Sequence, residues 1–415
     1  MKKFLLSITP GPVLSAYHYC AAIFGAILYR FPSNGLTVIG ITGTKGKSTT
    51  TEIVAAILRE AGYTVALAST IRFSIGNETE PNLFKMTMPG RTFLQQFFRK
   101  AVDKGATHAV IEMTSEGAKQ YRHKGIALDA LIFTNLQPEH LESHGSMEAY
   151  AAAKLSLAKH LEESSKRPRY IVANADDKYG KDFLAVQVEV KAPFSLKDAE
   201  PYTTDEKSVR FVWRGELFTV PLPGLFNLQN ILAALTLADA MGIPQAVSKK
   251  ALERIAPVAG RAERVEKGQP FTVVVDYAHT PDSLRALYST YSGKRIIGVL
   301  GSTGGGRDAW KRPAMGKIAD EYCSVAILTN EDPYDEDPQK IINEIAKGFT
   351  KKKAHEIFNR RKAIHEALRE AKEGDAVLIT GKGTDPYIMG PNGSKEVWSD
   401  KRVAEEELKK LGYNK

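Results

Sequence analysis

Short apolar runs alternate along the chain with segments whose apolar positions recur at helical spacing, a pattern that predicts strands and helices in turn. Leu36 to Ile41 reads as a buried strand, the glycines Gly40, Gly43 and Gly46 make a loop, and Ile53, Ala56 and Ile57 mark a helix that Gly62 ends. HAVIEM, ALIFTNL and RYIVANA continue the alternation, so a mostly parallel sheet wrapped by helices is expected. Between Glu200 and Pro223 the stretch VRFVWRGELFTVPLPG predicts antiparallel strands around an Arg-Gly turn. GLFNLQNILAALTLADAMG is a helix and IAPVAGRAERVEKGQPF reads as a linker. FTVVVDYAHT, RIIGVLGSTGGG, VAILTNEDP and AVLITGKGTD then predict a second unit of four strands. Each ends in a polar or glycine-rich loop, where ligands of open α/β sheets gather. The expected organisation is α/β in three parts: a short apolar segment 1–34, a central nucleotide-binding domain 35–257 and a C-terminal Rossmann-like domain 258–415.

From Phe4 to Tyr29 there is no Asp, Glu, Lys or Arg, although His18 and three tyrosines interrupt the apolar run. Within it VLSAYHYCAAIFGAILY is apolar over 17 residues, at the short limit for a membrane span. A helix packed on the following domain is expected, with peripheral contact at the inner membrane face through residues 4–29 as the alternative. The onset of a nucleotide loop soon afterwards argues against a cleaved signal. A hydrophobic share of 43% and a charged share of 25% are those of a soluble globular protein. The net charge of +9 fits nucleotides, anionic substrates, nucleic acid or anionic membrane alike. Two cysteines, Cys20 and Cys323, exclude a disulfide framework or four-cysteine zinc site and suit a cytoplasmic setting.

GITGTKGKST is the first chemical signal. A glycine-rich loop between strand and helix can wrap backbone N–H groups around phosphates, Lys47 can reach the terminal phosphates, and Ser48 can ligate magnesium. Ile41 stands where the strict motif has its first glycine. Glu112 ends one predicted strand and His140 follows another; beside a phosphate loop they could share a magnesium ion, although each alone is an ordinary structural residue. In AYAAAKLSLAKHL the stripe Tyr150, Leu157, Leu161 puts Lys154 on the inward face. A buried ammonium is costly unless paired; either Lys154 snorkels to solvent or it takes up carbon dioxide to become a carbamate.

These runs, with EMTSEG, TNLQPEHLESHGSMEAYAAAK, NADD, LPGLFNLQN, GRAERV, DYAHTPDSL, GGGRDAWKRPAMG and GKGTD in order, resemble the Mur ligases, and most of all their tripeptide-synthetase branch. DYAHTP is similar to the muramyl rather than the folate-polyglutamate branch, which usually has Asn at the place of Thr280. The resemblance implies a P-loop central domain, a Rossmann-like C-terminal domain and an ADP-forming ligase of cell-wall peptide synthesis, acting as a monomer without nucleic acid. It implies ATP on Gly43, Thr44, Lys45, Gly46, Lys47, Ser48 and Thr49, with Asn227 and Asn230 by the adenine and Arg261 and Asp276 at the γ-phosphate and ribose. Magnesium would be held by Ser48, Glu112, His140 and a carbamylated Lys154, with Lys47, Lys154 and His140 catalytic. Thr87, Ser115, Arg312, Asp332, Tyr334, Gly381 and Asp385 would bind the two substrates. A substrate carboxylate would take the γ-phosphate, and an amine would displace phosphate from the acyl phosphate.

Two departures stand out. About 35 residues precede the phosphate loop, few for an independent domain, so a truncated uridine-diphosphate-binding domain and a lipid-linked or otherwise different acceptor are expected. Diaminopimelate-adding members carry Asp-Asn-Pro-Arg, whose Arg grips the distal carboxylate; here Glu331, Asp332, Pro333 and Tyr334 stand instead, followed by Asp335, Glu336 and Asp337. Arg312 is left to hold the α-carboxylate, and an acidic pocket predicts lysine or ornithine; the plainer reading of EDPYDEDP is a solvated helix-capping loop. A P-loop ATPase on nucleic acid would need basic or aromatic clusters and leaves the second unit without a role. A noncatalytic nucleotide-binding scaffold would not need Glu112, His140 and Lys154 together.

Overall fold

A computed structural model describes residues 11–90, 92–139 and 141–415; His140, expected as a metal ligand, lies outside the described residues. The first unit is built on strands β1 (Thr37–Thr42), β2 (Val65–Ala68), β3 (Arg72–Ile75), β4 (Glu78–Pro81), β5 (His108–Glu112), β6 (Ala130–Phe133), β7 (Tyr170–Asn174) and β8 (Val190–Phe194). They form one sheet in the order β4-β3-β2-β5-β1-β6-β7-β8. All neighbours from β2 to β8 are parallel, while β3 and β4 add an antiparallel edge. Because β5 and β6 flank β1, the loops leaving these strands converge at one end of the sheet, the crevice where such folds bind ligands.

Continuous apolar runs suit strands buried on both faces. On one face, Ile39, Ile41 and Val110 pack with Ile53, Ile57 and Leu58 of helix Lys47–Glu60 and with Ile231 and Leu235 of helix Leu225–Ala240. On the other, Val38, Ile111 and Phe133 meet Phe98 of helix Phe93–Asp103 and Leu157 of helix Met147–Glu162. Strands β9 (Tyr202–Thr204), β10 (Val209–Trp213) and β11 (Glu216–Val220) make the antiparallel sheet predicted from their alternation. Trp213 pairs with Glu216 across a two-residue turn in which Arg214 and Gly215 both have positive φ, 49° and 81°, the backbone that tight hairpins require.

The second unit has strands β12 (Glu263–Arg264), β13 (Thr272–Asp276), β14 (Ile296–Leu300), β15 (Val325–Leu328), β16 (His355–Glu356) and β17 (Ala376–Thr380), ordered β12-β13-β17-β14-β15-β16. Only β12 is antiparallel to its neighbour. It lies inside the stretch read as a linker, so that segment is part of the sheet. The N-terminal helix Gly11–Leu28 buries Ala22, Gly25 and Ala26; it packs on the following unit as expected, but Val13, Phe24, Ile27 and Leu28 stay more than half exposed.

Candidate active site

The loop after β1 turns on two glycines. Gly43 (φ +148°) and Gly46 (φ +85°) carry backbone that side chains avoid, and a Cβ would lie 1.9 Å from Thr134 Oγ1 at the first and 2.1 Å from Asn230 Oδ1 at the second. Asn135 Oδ1 accepts from the Lys45 N–H (2.9 Å), and Thr134 Oγ1 donates to the Lys45 carbonyl (2.7 Å). Thr44 Oγ1 lies 3.1 Å from the Tyr150 hydroxyl, and Ser48 and Thr49 are buried in the first helical turn.

Two lysines converge on one carbonyl. Lys47 Nζ donates to the Gly43 and Thr44 oxygens (both 2.9 Å), and Lys154 Nζ donates to the same Gly43 oxygen (2.8 Å). Lys154 is buried as its spacing predicts and lies over the Tyr150 ring at 4.8 Å. Burial, and then the neighbouring Lys47 charge, hold its pKa well below the lysine range; burial lowers that of Lys47, against the carboxylates of Glu112 and Glu139. Two buried amino groups crowded on one carbonyl would be relieved by an anion between them.

Glu112 sits opposite Ile41 in the β1–β5 register and is 1% exposed. Its oxygens accept from the Thr70 N–H (2.8 Å) and Thr70 Oγ1 (3.0 Å), and Thr70 Oγ1 lies 2.8 Å from Thr87 Oγ1. Ser115 Oγ is 3.2 Å from His144 Nε2. Among the described residues no group of three or more His, Cys, Asp or Glu gathers as a metal cluster. The donors in place, a buried carboxylate and the Ser48 hydroxyl beside a phosphate loop, fit magnesium, which keeps several waters and phosphate oxygens of its own.

From the second unit, an Arg261 terminal nitrogen donates to Ser48 Oγ (3.2 Å), and its guanidinium stacks on Tyr277 at 4.5 Å. Asp276, at the end of β13, accepts from the Ala262 and Ala278 N–H groups (both 2.6 Å); its pKa is raised by burial. Asn227 Nδ2 donates to the Pro223 carbonyl (2.7 Å), and Asn230 Nδ2 donates to Asn227 Oδ1 (3.3 Å). Glu139 and His279 were not singled out from the sequence, yet Glu139 Oε1 takes both Lys45 Nζ and His279 Nε2 at 2.9 Å, closing one unit on the other. Burial, and then the Lys45 charge, depress the His279 pKa to about 3.

The cleft between the units is lined by Lys85, Tyr277, Arg307, Lys311, Glu331, Asp332, Tyr334, Gly381 and Asp385, among others. Gly381 (φ +106°) lets the chain pass Glu331, whose Oε2 would be 2.2 Å from a Cβ. Arg312 corrects the sequence expectation. It is fully buried: NH1 donates to Glu336 and Glu344 (both 2.7 Å), and NH2 donates to Glu336 (2.9 Å) and the Thr303 carbonyl (3.1 Å). An α-carboxylate would have to displace Glu336, so Arg312 is a structural pair, and among the described residues Lys311, Arg307 and Lys85 are the cations lining the cleft. The acidic run divides likewise: Glu336 holds Arg312, Asp337 caps helix Pro338–Ala346, and Asp332 is buried in the cleft wall. The pocket does not lack a cation either, since Lys85 Nζ reaches Asp332 Oδ2 at 2.7 Å.

Residues 41–238 match the Mur ligase middle domain, and residues 260–383 match the Mur ligase glutamate ligase domain. A Geobacillus kaustophilus protein named UDP-N-acetylmuramoyl-L-alanyl-D-glutamate–2,6-diaminopimelate ligase is 34% identical, over 97% of this chain and 85% of its own length. The chain belongs to the Mur ligase family. Mur ligases are ATP-dependent amide ligases, and a Roseiflexus relative, 37% identical over 97% of this chain and 85% of its own, is named UDP-N-acetylmuramyl-tripeptide synthetase. Among solved Mur ligases, a diaminopimelate ligase superposes with a TM-score of 0.61 at 29% identity, covering 91% of this chain and 79% of its own. Mycobacterium tuberculosis folylpolyglutamate synthase, at 16% identity and a TM-score of 0.73 over 88% of this chain and 93% of its own, shares the Mur ligase fold.

Proposed function

We propose that this Mur ligase joins an amino group of a diamino acid to a muramyl-peptide carboxylate in the cytoplasm, cleaving ATP to ADP through an acyl phosphate. The observation that carries the reading is the meeting of Lys47, Lys154, Ser48 and Glu112 around the Gly43 loop, with Arg261 entering from the second unit. Backbone N–H groups of Gly43 to Thr49 would cradle the phosphates, Lys47 would release its two carbonyls to the β- and γ-oxygens, and Asn227 and Asn230 would flank the base. Arg261, which reaches Ser48, would meet the γ-phosphate, and Asp276 would serve by holding the backbone at Ala262 and Ala278. Ser48 and Glu112, with His140, would hold magnesium, which offsets phosphate charge as carboxylate approaches.

Lys154 has the chemistry for carbamate formation. Burial and the Lys47 charge lower its pKa and so favour the uncharged amine, the form whose nitrogen can bond the carbon of carbon dioxide with loss of one proton; the product is an oxygen ligand. Thr87 and Ser115 would face the acceptor, and Asp332, Tyr334, Gly381 and Asp385, which line the cleft, would face the amino acid. The missing Arg at Tyr334 is the ground for expecting lysine or ornithine, but Lys85 brings a cation to the same pocket, which supports diaminopimelate, the amino acid the relatives are named for. The exposed uncharged helix Gly11–Leu28 favours a second acceptor, a lipid-linked muramyl peptide met at the membrane face.

The test is phosphate release by the purified chain with magnesium-ATP and bicarbonate. UDP-linked and lipid-linked muramyl dipeptides are offered against lysine, ornithine and diaminopimelate, with mass spectrometry of the product. Release that needs both substrates, with the mass gain of one amino acid, is expected. Release indifferent to carboxylate and amine would refute the ligase reading.

A further inference from the structure

Lys85 belongs to the first unit, on the loop between β4 and helix Phe93–Asp103, yet its ammonium lies in the cleft wall of the second, 2.7 Å from Asp332 Oδ2 and 3.1 Å from Asp385 Oδ2. Asn82 fixes the loop: its Nδ2 donates to the Ser69 and Met86 carbonyls (2.8 and 3.1 Å) and its Oδ1 accepts from the Phe84 N–H (3.0 Å). Lys382 Nζ, fully buried, reaches the same two carboxylates at 2.8 and 3.2 Å. Two carboxylates therefore face two ammonium groups, and the acid pair is already neutralised. A lone side-chain ammonium arriving there meets a like charge in Lys85, which costs affinity in a partly desolvated site. Opposite charges remain available nearby. The Lys85 ammonium has a third N–H, its side chain is 16% exposed on the cleft, and Glu331 Oε2 is buried without a hydrogen-bond partner.

We propose that Lys85 sets the side-chain charge accepted by the amino-acid pocket: its ammonium receives a carboxylate at the far end of the incoming diamino acid, while Glu331 accepts from the amine beside that carboxylate. The preferred side chain thus ends as a zwitterion and not as a bare cation. This rests on the diamino-acid ligase reading above and adds to it a selectivity residue lent by the other unit.

Lys85→Met and Lys85→Arg are compared with the parent by kcat/KM for diaminopimelate and for lysine at saturating ATP and acceptor. The parent is expected to prefer diaminopimelate. Lys85→Met is expected to lose about tenfold or more in that preference, through KM for diaminopimelate, and Lys85→Arg to restore most of it. Equal losses on both amino acids in Lys85→Met, carried by kcat, would make Lys85 only a clasp between units and overturn the proposal, as would a parent that prefers lysine. A parent that ligates neither amino acid overturns the ligase reading and this proposal together, whereas an active parent with unchanged selectivity in Lys85→Met overturns this proposal alone. A melting curve for each variant separates misfolding from selectivity.

Discussion

The Arg360–Asp400 pair links stability to the amino-acid pocket. Arg360 Nε and NH2 donate to Asp400 (2.8 and 2.7 Å), NH2 also donates to the Thr380 carbonyl (2.8 Å), and Trp398 Nε1 donates to Asp400 Oδ1 (2.8 Å). Both charged side chains are at most 1% exposed. Burial opposes the Arg360 charge, but the Asp400 carboxylate outweighs it and the guanidinium pKa is raised. Asp400→Asn leaves that cation buried without its counter-charge, which costs about 3–5 kcal/mol. Over a second unit of this size the loss is worth roughly 10 °C in its melting temperature. Thr380 and Asn330, whose carbonyls accept from Arg360, directly precede Gly381–Lys382 and Glu331–Asp332. KM for the amino acid should therefore rise about tenfold while KM for ATP stays near the parent's. The double change Arg360→Met with Asp400→Leu removes both charges and should recover most of the stability but not the KM. Calorimetry and steady-state kinetics read both; Asp400→Asn melting with the parent, or the double variant melting lower than the single, would refute the reasoning.

Three further outcomes are expected. Gly46→Ala should weaken nucleotide binding at least about tenfold, from strain at positive φ and contact with Asn230; near-parental affinity by calorimetric titration would count against the loop geometry. Lys154→Met should abolish ligation yet leave melting unchanged or higher, because it removes a buried amine with one carbonyl partner; retained turnover would remove Lys154 from the chemistry. His123 is buried beside His160, with ring centroids 4.8 Å apart, and burial, then the His160 charge, depress its pKa from 6.5 to about 3. The folded chain keeps it neutral while the unfolded chain takes a proton below pH 6.5, so its stabilisation is complete above that pH and is lost on descent toward 3. The loss is about 2 kcal/mol at pH 5. Denaturant titrations at pH 7 and 5 should show His123→Gln with a correspondingly smaller drop, and an identical drop would refute the assignment.

By itself the sequence determined the two α/β units, the phosphate loop and the burial of Lys154, because periodicity records which side of a strand or helix faces a core, and glycine spacing records local backbone. Strands without a continuous apolar run escaped it: β3, β4 and β12 read RFSI, ETEP and ER, whereas β6 and β15, only four residues long, were legible as apolar runs. Charge was read less well. Arg312 and Glu336 look like binding groups in the primary sequence, and only folding shows that they neutralise each other. Glu139 meets His279, and Lys85 meets Asp332 across 247 positions of chain. Which ionised groups stay open to substrate is decided by tertiary structure alone, because a Coulomb pair depends on distance and burial in space, and neither leaves a periodic mark in the order of residues.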